Sequence, residues 1–319
     1  MNHDRRIVAL VGGGRWGRVH ASNLAQLLTP RDRVLWVSRH NQDILRDVIK
    51  KLRNGPEFEL VTNLGDALLA RPETALVVTP PNTHVAVAEA CLRGGVHTFV
   101  EKPLAFKVGE ARSLIDTAEK SNLVLAVGLH LLSASYLHHF KSQLVARGIL
   151  RISIRWFDAI NEVRYGEVKL ADDATPIVHD VYPHVWSIVR VLTGYDEQKT
   201  NVVSARADGS VSFELTAGST KVEAQCGRRA EIRERKIDIV LSDGSSASLD
   251  FAHEPGKGIL DGVTLPSDPA WGKTPRPAMV EVMEFLEQVL SVSRNREWPH
   301  LASNCIDSVV GAETLNSKV

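Results

Sequence analysis

Cysteine is scarce in this 319-residue chain: only Cys91, Cys226 and Cys305 occur. They are odd in number, far apart and in no C-x-x-C pair, which argues against a disulfide framework or a zinc cluster and fits a reducing cytoplasm. Charge of one sign is also missing, since 38 basic side chains balance 38 acidic ones. No overall field therefore exists to hold nucleic acid or an anionic membrane, and a small neutral or anionic molecule is the partner left open. Long apolar runs are absent too. The longest, residues 123–132, contains Gly128 and His130 and falls well short of a membrane span. The run at 7–11 is too short for the core of a secretory signal. No repeat or low-complexity tract occurs, and no His/Cys/Asp spacing suits a metal, so none is expected. What is present is length and apolar content, 44% hydrophobic over 319 residues, which is enough for two buried cores.

The first half alternates strand and helix patterns. Short β-branched runs at 6–11, 34–37, 59–62, 75–78, 98–100 and 123–127 predict strands, separated by helical patterns through 14–27, 43–52, 83–93 and 108–121. Strands separated by helix-length segments imply parallel pairing in a doubly wound open sheet, whose ligands sit at the carboxyl ends of the strands. After Gly128 the rhythm changes. One helix is predicted over 133–146, then period-two runs at 151–157, 211–215, 221–225, 237–241 and 246–251, which read as antiparallel. Asp243-Gly244 reads as a two-residue hairpin turn. Pro275 and Pro277 introduce an amphipathic helix carrying Val280, Met283, Phe285, Leu286, Val289 and Leu290. The expected fold is α/β, with an N-terminal doubly wound dinucleotide-binding domain over 1–128 and an α+β domain with an open, mainly antiparallel sheet over 129–319.

Gly12-Gly13-Gly14-Arg15-Trp16-Gly17 satisfies G-x-G-x-x-G between a strand and a helix. Gly12 permits the tight turn, Gly14 lets backbone approach a pyrophosphate, and Gly17 lets the helix pack on the strand. Arg15 and Trp16 fall in the same turn, where Trp16 alternatively just covers the backbone. At the end of the second strand an acid would bond the ribose 2′-hydroxyl, whereas arginine suits a 2′-phosphate. Here Ser38-Arg39-His40 follow Val37, with no acid until Asp43. This favours NADP over NAD, the bland alternative being that Arg39 is a solvated surface charge.

Three ordered motifs, Gly12 to Gly17, Thr79-Pro80-Pro81-Asn82-Thr83-His84 and Glu101-Lys102-Pro103-Leu104, give the sequence a resemblance to the glucose–fructose oxidoreductase, inositol dehydrogenase and rhizopine-catabolism family of NAD(P)-dependent oxidoreductases. The resemblance implies a Rossmann domain followed by an open-sheet domain that binds substrate and often mediates homo-oligomers. It also implies hydride transfer between nicotinamide and a secondary alcohol carbon of a sugar, polyol or nucleotide sugar. Thr79, Pro80, Asn82, His84, Glu101 and Lys102 then join the cofactor site.

Lys102 ends a short strand, where its charge can polarise a carbonyl or alkoxide; the bland alternative is a lysine satisfied by Glu101. Asp180 and His184, at i and i+4 of a predicted helix, share one face and would point into one cleft, with His184 as acid/base and Asp180 orienting it or the substrate. Pro183 fits if this is the helix's first turn. The family pattern G-G-x-x-x-D-x-G-x-H is altered here, with Thr175-Pro176 for the glycine pair and Tyr182 for the third glycine, a form closer to branches acting on nucleotide sugars. His184 otherwise reads as a satisfied helix-start histidine. His130 and Tyr182 are substrate-binding candidates. His84 lines the nicotinamide unless Asn82 or Thr83 merely caps a helix. The basic stretch 228–236 reads as charge facing water. An imine or other double-bond reductase, or a non-catalytic ligand-sensing protein, are the alternative functions.

Overall fold

The apolar runs of the first half become one six-stranded sheet in the computed structural model, which describes residues 5–144, 147–160, 163–164, 167–168, 174–197, 199–206, 209–291 and 293–319. Its strands are β1 (Ile7–Val11), β2 (Arg33–Val37), β3 (Glu57–Val61), β4 (Thr74–Val77), β5 (His97–Glu101) and β6 (Leu125–Gly128), in the order β3-β2-β1-β4-β5-β6 and parallel throughout. The connecting helices are α1 (Arg15–Leu27), α2 (Gln42–Lys51), α3 (Leu64–Leu69), α4 (His84–Arg93) and α5 (Val108–Lys120). Strands buried on both faces need apolar residues at successive positions rather than alternation, and Val8 to Val11 and Val34 to Val37 supply them. Strand order reverses between β1 and β4, so the chain leaves their carboxyl ends in opposite directions and opens a crevice there.

The second sheet has eight strands, ordered β10-β11-β12-β7-β13-β14-β15-β16. The elements are α6 (Ser135–Gln143), β7 (Ile149–Ala159), a small pair β8 (Val163–Arg164) and β9 (Glu167–Val168), α7 (Ile177–Thr193), β10 (Lys199–Ala205), β11 (Val211–Ala217), β12 (Thr220–Ala230), β13 (Glu234–Leu241), β14 (Ser246–Asp250), β15 (Lys257–Leu260) and β16 (Val263–Thr264), then α8 (Pro277–Leu290) and α9 (Ile306–Asn316). Only β7 and β12 pair in parallel; the other neighbours are antiparallel. Alternation gives the sheet one buried face: Val211, Phe213 and Leu215 of β11 and Ile237, Ile239 and Leu241 of β13 turn inward. The helix α7 packs against β7, β11 and β12.

Two compact units result. The first runs to His130 and includes Ala278–Ile306; the second comprises Leu131–Pro277 and Asp307–Val319. The contiguous second domain expected over 129–319 is thus interrupted, because α8 buries Val282, Phe285, Leu286 and Val289 in the same core as Leu10, Leu24, Trp36 and Phe99. Three local expectations also change. The helix expected over 133–146 is a tight turn, His130–Ser133, followed by α6, and residues 145–146 lie outside the described ones. The hairpin after β13 has a longer loop: only Gly244 takes a positive φ, 86°, and its amide donates to Leu241 while Leu241 donates to Ser245. That pattern is a type I turn closed by a left-handed glycine. The helix α7 begins at Ile177, so Pro183 sits in its interior rather than in its first turn, where it supplies no amide to the helix. No helix among the described residues is long and apolar enough to cross a membrane.

Candidate active site

The glycine turn between β1 and α1 is shaped by close approach. Gly12 has φ 130°, and a Cβ there would stand 2.6 Å from the Val78 carbonyl oxygen at the end of β4. A Cβ on Gly17 would strike the carbonyl oxygen of Gly12, so α1 lies nearer to the turn than a side chain allows. Gly14 differs: it caps α1 and is exposed, and nothing lies within 4 Å of where its Cβ would be. Open space directly before a helix N-terminus, bordered by backbone N–H groups, fits a pyrophosphate. Arg15 and Trp16 are half-buried in the first turn of α1. Gly13 is constrained as well, although the motif leaves it free, because a Cβ would overlap the Ser38 side chain and come within 3.1 Å of Leu45.

Ser38 follows β2 and is buried; its hydroxyl donates to the His40 carbonyl at 2.8 Å. Arg39 and His40 are exposed. Asp43, the first acid after β2, lies on α2 and pairs with Arg46 at 2.6 Å.

At the end of β4, the Thr83 hydroxyl lies 2.7 Å from both the Thr79 hydroxyl and the Pro80 carbonyl. It therefore closes the turn rather than capping α4, and neither Asn82, which is exposed, nor Thr83 makes a side-chain cap. His84 is corrected from its expected place against the cofactor. It is 1% exposed, with Nδ1 2.8 Å from the Pro103 carbonyl and Nε2 2.8 Å from the Thr79 carbonyl. The ring ties the turn after β4 to the turn after β5. Burial lowers its proton affinity against the pull of both carbonyls, so a neutral ring donates to one carbonyl at a time.

Lys102 is half-buried beyond β5, followed by a cis Lys102–Pro103 peptide. The Glu101 carboxylate is buried, with one oxygen 2.9 Å from His20 Nε2 of α1 and the other accepting the Lys102 amide at 3.2 Å. Burial alone would raise the Glu101 carboxyl, but the hydrogen bond to His20 and the charges of His20, His130 and Lys102 outweigh it and hold it below the usual range. The Trp16 ring lies 5.9 Å from His20 and 6.2 Å from His130. Trp16, His20, Glu101, Lys102 and His130 thus gather at the carboxyl edge of the first sheet. His20 escaped the sequence reading, since its position in α1 gives no sign of a partner on β5.

In the second unit, Asp180 and His184 lie one helical turn apart on α7. Asp180 accepts from Arg228 at 3.1 Å, and Arg228 also donates to the Thr175 carbonyl at 2.8 Å. His184 is buried and stacks on Trp156 of β7, with ring centroids 4.5 Å apart and planes inclined by 16°. The Arg235 guanidinium lies 3.9 Å from the Trp156 centroid, is itself 2% exposed, and pairs with Asp158. The stretch 228–236 therefore does not simply face water: Arg228 and Arg235 are turned into this cluster because β12 and β13 flank β7. Tyr182 is corrected too. It is fully buried, packs near Phe213 at 5.8 Å, and presses its hydroxyl against Gly311 of α9, where no side chain would fit. A substrate cannot reach it there. Burial also pushes the Cys91 and Cys226 thiols up to about 12, which leaves no reactive thiolate at either position.

A parallel sheet with this glycine turn at its switch point, and a lysine at the end of its fifth strand, defines a dinucleotide-binding oxidoreductase fold. Residues 6–129 match the oxidoreductase family with an NAD-binding Rossmann fold. Over these residues the chain is similar to the glucose–fructose oxidoreductase, inositol dehydrogenase and rhizopine-catabolism family of NAD(P)-binding oxidoreductases. It is 27% identical over 298 residues to the UDP-N-acetylglucosamine 3-dehydrogenase of Acidithiobacillus ferrooxidans, covering 88% of this chain and 87% of that one. A solved structure of that protein matches with a TM-score of 0.75 at 21% identity, covering 99% of this chain and 98% of that one. The GenD2 protein from gentamicin A biosynthesis, solved in complex with NAD, matches with a TM-score of 0.72 at 19% identity, covering 99% and 94%.

Proposed function

We propose that the protein is an NADP-dependent oxidoreductase that interconverts a secondary alcohol and a carbonyl on a sugar-like substrate, with a nucleotide sugar as the first class to try. The reading is carried by the convergence of three turns, after β1, β4 and β5, on the carboxyl edge of one parallel sheet, where Gly14 leaves room for a pyrophosphate and Lys102 stands at the strand end. The sugar-like substrate is supported by the near full-length similarity to a UDP-N-acetylglucosamine 3-dehydrogenase. When bound, the nicotinamide accepts or supplies the hydride. Lys102 stabilises negative charge on the substrate oxygen. His184 takes the hydroxyl proton in oxidation and returns it in reduction, held in plane by the Trp156 stack. Asp180, neutralised by Arg228, orients the substrate or the His184 ring. Trp16 and His130 border the Lys102 end of the first unit.

NADP is favoured because Ser38-Arg39-His40 bring no carboxylate to the end of β2 and Asp43 is engaged by Arg46. The test is a titration of both cofactors followed by turnover on a panel of nucleotide sugars, sugar phosphates and polyols. NADPH is expected to bind more tightly than NADH, and Arg39→Asp to reverse the order by removing a charge-assisted contact of roughly 1.5–3 kcal/mol. Lys102→Met should lower kcat strongly with melting unchanged. Equal NADPH and NADH dissociation constants would remove the NADP assignment, and normal turnover by Lys102→Met would remove the role of Lys102.

A further inference from the structure

The first unit buries a histidine that packing alone does not explain. His20, in the second turn of α1, is 0% exposed and lies against the rings of Trp16 at 5.9 Å and Phe99 at 5.8 Å. A leucine would fill such a place without burying polar atoms. The histidine instead leaves its Nδ1 with no hydrogen-bond partner among the described residues, which is destabilising in a buried ring. Its other nitrogen, Nε2, stands 2.9 Å from Glu101 Oε1. An ionised carboxylate only accepts hydrogen bonds, so Nε2 carries the hydrogen and donates it.

The same carboxylate holds the next residue of the chain. Glu101 Oε2 accepts the Lys102 amide at 3.2 Å, so the plane of the Glu101–Lys102 peptide is tied to the carboxylate, and that plane directs the bond along which the lysine side chain leaves the backbone. Room for the carboxylate comes from Gly128, which pairs with Glu101 across β5 and β6: a Cβ there would stand 3.2 Å from the Glu101 carboxyl carbon and 2.9 Å from Phe99 Cζ. Beyond the lysine, the Pro103 carbonyl lies 2.8 Å from His84 Nδ1. The turn is therefore held on both sides, and on its leading side the hold runs back to α1, the helix that Gly14 caps.

We infer that His20 is a positioning residue for Lys102: through the Glu101 carboxylate it fixes the peptide that aims the lysine, and so ties α1 to the turn after β5. The consequence for turnover rests on the role proposed for Lys102, whereas the geometry of the turn does not.

His20→Leu fills the space and removes the donor, while His20→Gln places an amide nitrogen at the reach of Nε2. With lysine isotopically labelled at its amide nitrogen, the signal that Lys102→Met removes from the nuclear magnetic resonance spectrum is that of Lys102. It should move in His20→Leu and return in His20→Gln. Reduction of NADP by UDP-N-acetylglucosamine is the activity probe. Its kcat should fall about 10–100-fold in His20→Leu, the scale of a slightly misplaced catalytic group, and recover in His20→Gln. The NADP dissociation constant should change by no more than about threefold, since the lost interaction aims the lysine rather than holds the cofactor. In a Lys102→Met background His20→Leu should lower kcat no further, because its effect passes through the lysine. An unmoved Lys102 signal in His20→Leu, or the same loss of kcat with and without Lys102, would overturn the positioning role. Where His20→Leu does not fold, His20→Asn, whose amide nitrogen stops short of Glu101, replaces it in each comparison. A moved signal together with normal turnover by Lys102→Met would leave the positioning of the turn standing and remove only the catalytic role of Lys102. The amide signal needs no substrate, so it decides the geometry even if this nucleotide sugar is not turned over.

Discussion

One methyl group added to either of two glycines in the same turn should have opposite consequences. At Gly17 the new carbon meets the Gly12 carbonyl oxygen, backbone that cannot swing aside, so Gly17→Ala should cost about 1–3 kcal/mol or more through overpacking and lower the melting temperature. At Gly14 it meets nothing within 4 Å, so Gly14→Ala should melt like the parent yet bind NADPH at least about tenfold more weakly, because the methyl fills the space kept for the pyrophosphate. Calorimetry and a cofactor titration on both variants check this pair. A Gly14→Ala protein that binds normally would place the phosphates elsewhere. The close packing at Gly17 and the open position at Gly14 were legible in the sequence because a glycine's surroundings in a strand–turn–helix depend on local geometry. The constraint at Gly13 was not, since it comes from Ser38, just past the end of a neighbouring strand. The burial of His84 and Tyr182 was not legible either: a place in a turn or in a motif does not say whether the side chain meets a crevice, two carbonyls or Gly311.

Strand ends show the same limit at the next scale. Each parallel strand could be read from its apolar run, but the way β5 is locked to the start of β6 depends on His97, an ordinary-looking polar residue. The Val124 amide donates to His97 Nδ1 at 2.8 Å, so that nitrogen must stay unprotonated for the bond to exist. Burial, and then the nearby Arg294 charge, lower His97 from 6.5 to about 4. Between those values the unfolded chain binds a proton that the folded one refuses, so stability is complete above pH 6.5 and is lost as pH falls toward 4. With a discount for the ring's partial exposure, the loss is on the order of 1–2 kcal/mol. His97→Asn keeps an acceptor for Val124 without the titration and should flatten this part of the curve. Urea midpoints measured across the window test it, and parallel decline in both proteins would assign the acid sensitivity to other groups.

For the whole molecule, the change from alternating strand and helix to period-two strands marked the passage between two architectures within a few residues of His130, where the first unit's leading segment ends. The return of Ala278–Ile306 to that unit was invisible, because an amphipathic helix carrying Val282, Phe285, Leu286 and Val289 reads the same whichever core receives its apolar face. Its destination has an energetic consequence. Those four side chains and Trp298 all belong to the first unit's core, and each buried side chain of this size contributes about 1.5–3 kcal/mol. Their sum is comparable to the whole stability of a domain, roughly 5–15 kcal/mol. The segment also extends the sheet environment: Val127 donates to the His300 carbonyl at 2.8 Å, and Leu301 bridges Ala126. A fragment of residues 1–130, which contains every strand of the Rossmann sheet, should therefore lack a cooperative melt and bind a hydrophobic dye. A separate chain of residues 277–306, co-expressed with it, should restore both the transition and NADPH binding. If the 1–130 fragment alone melts cooperatively and holds the cofactor, the core contributed by α8 is dispensable, and the first unit is complete before the second begins.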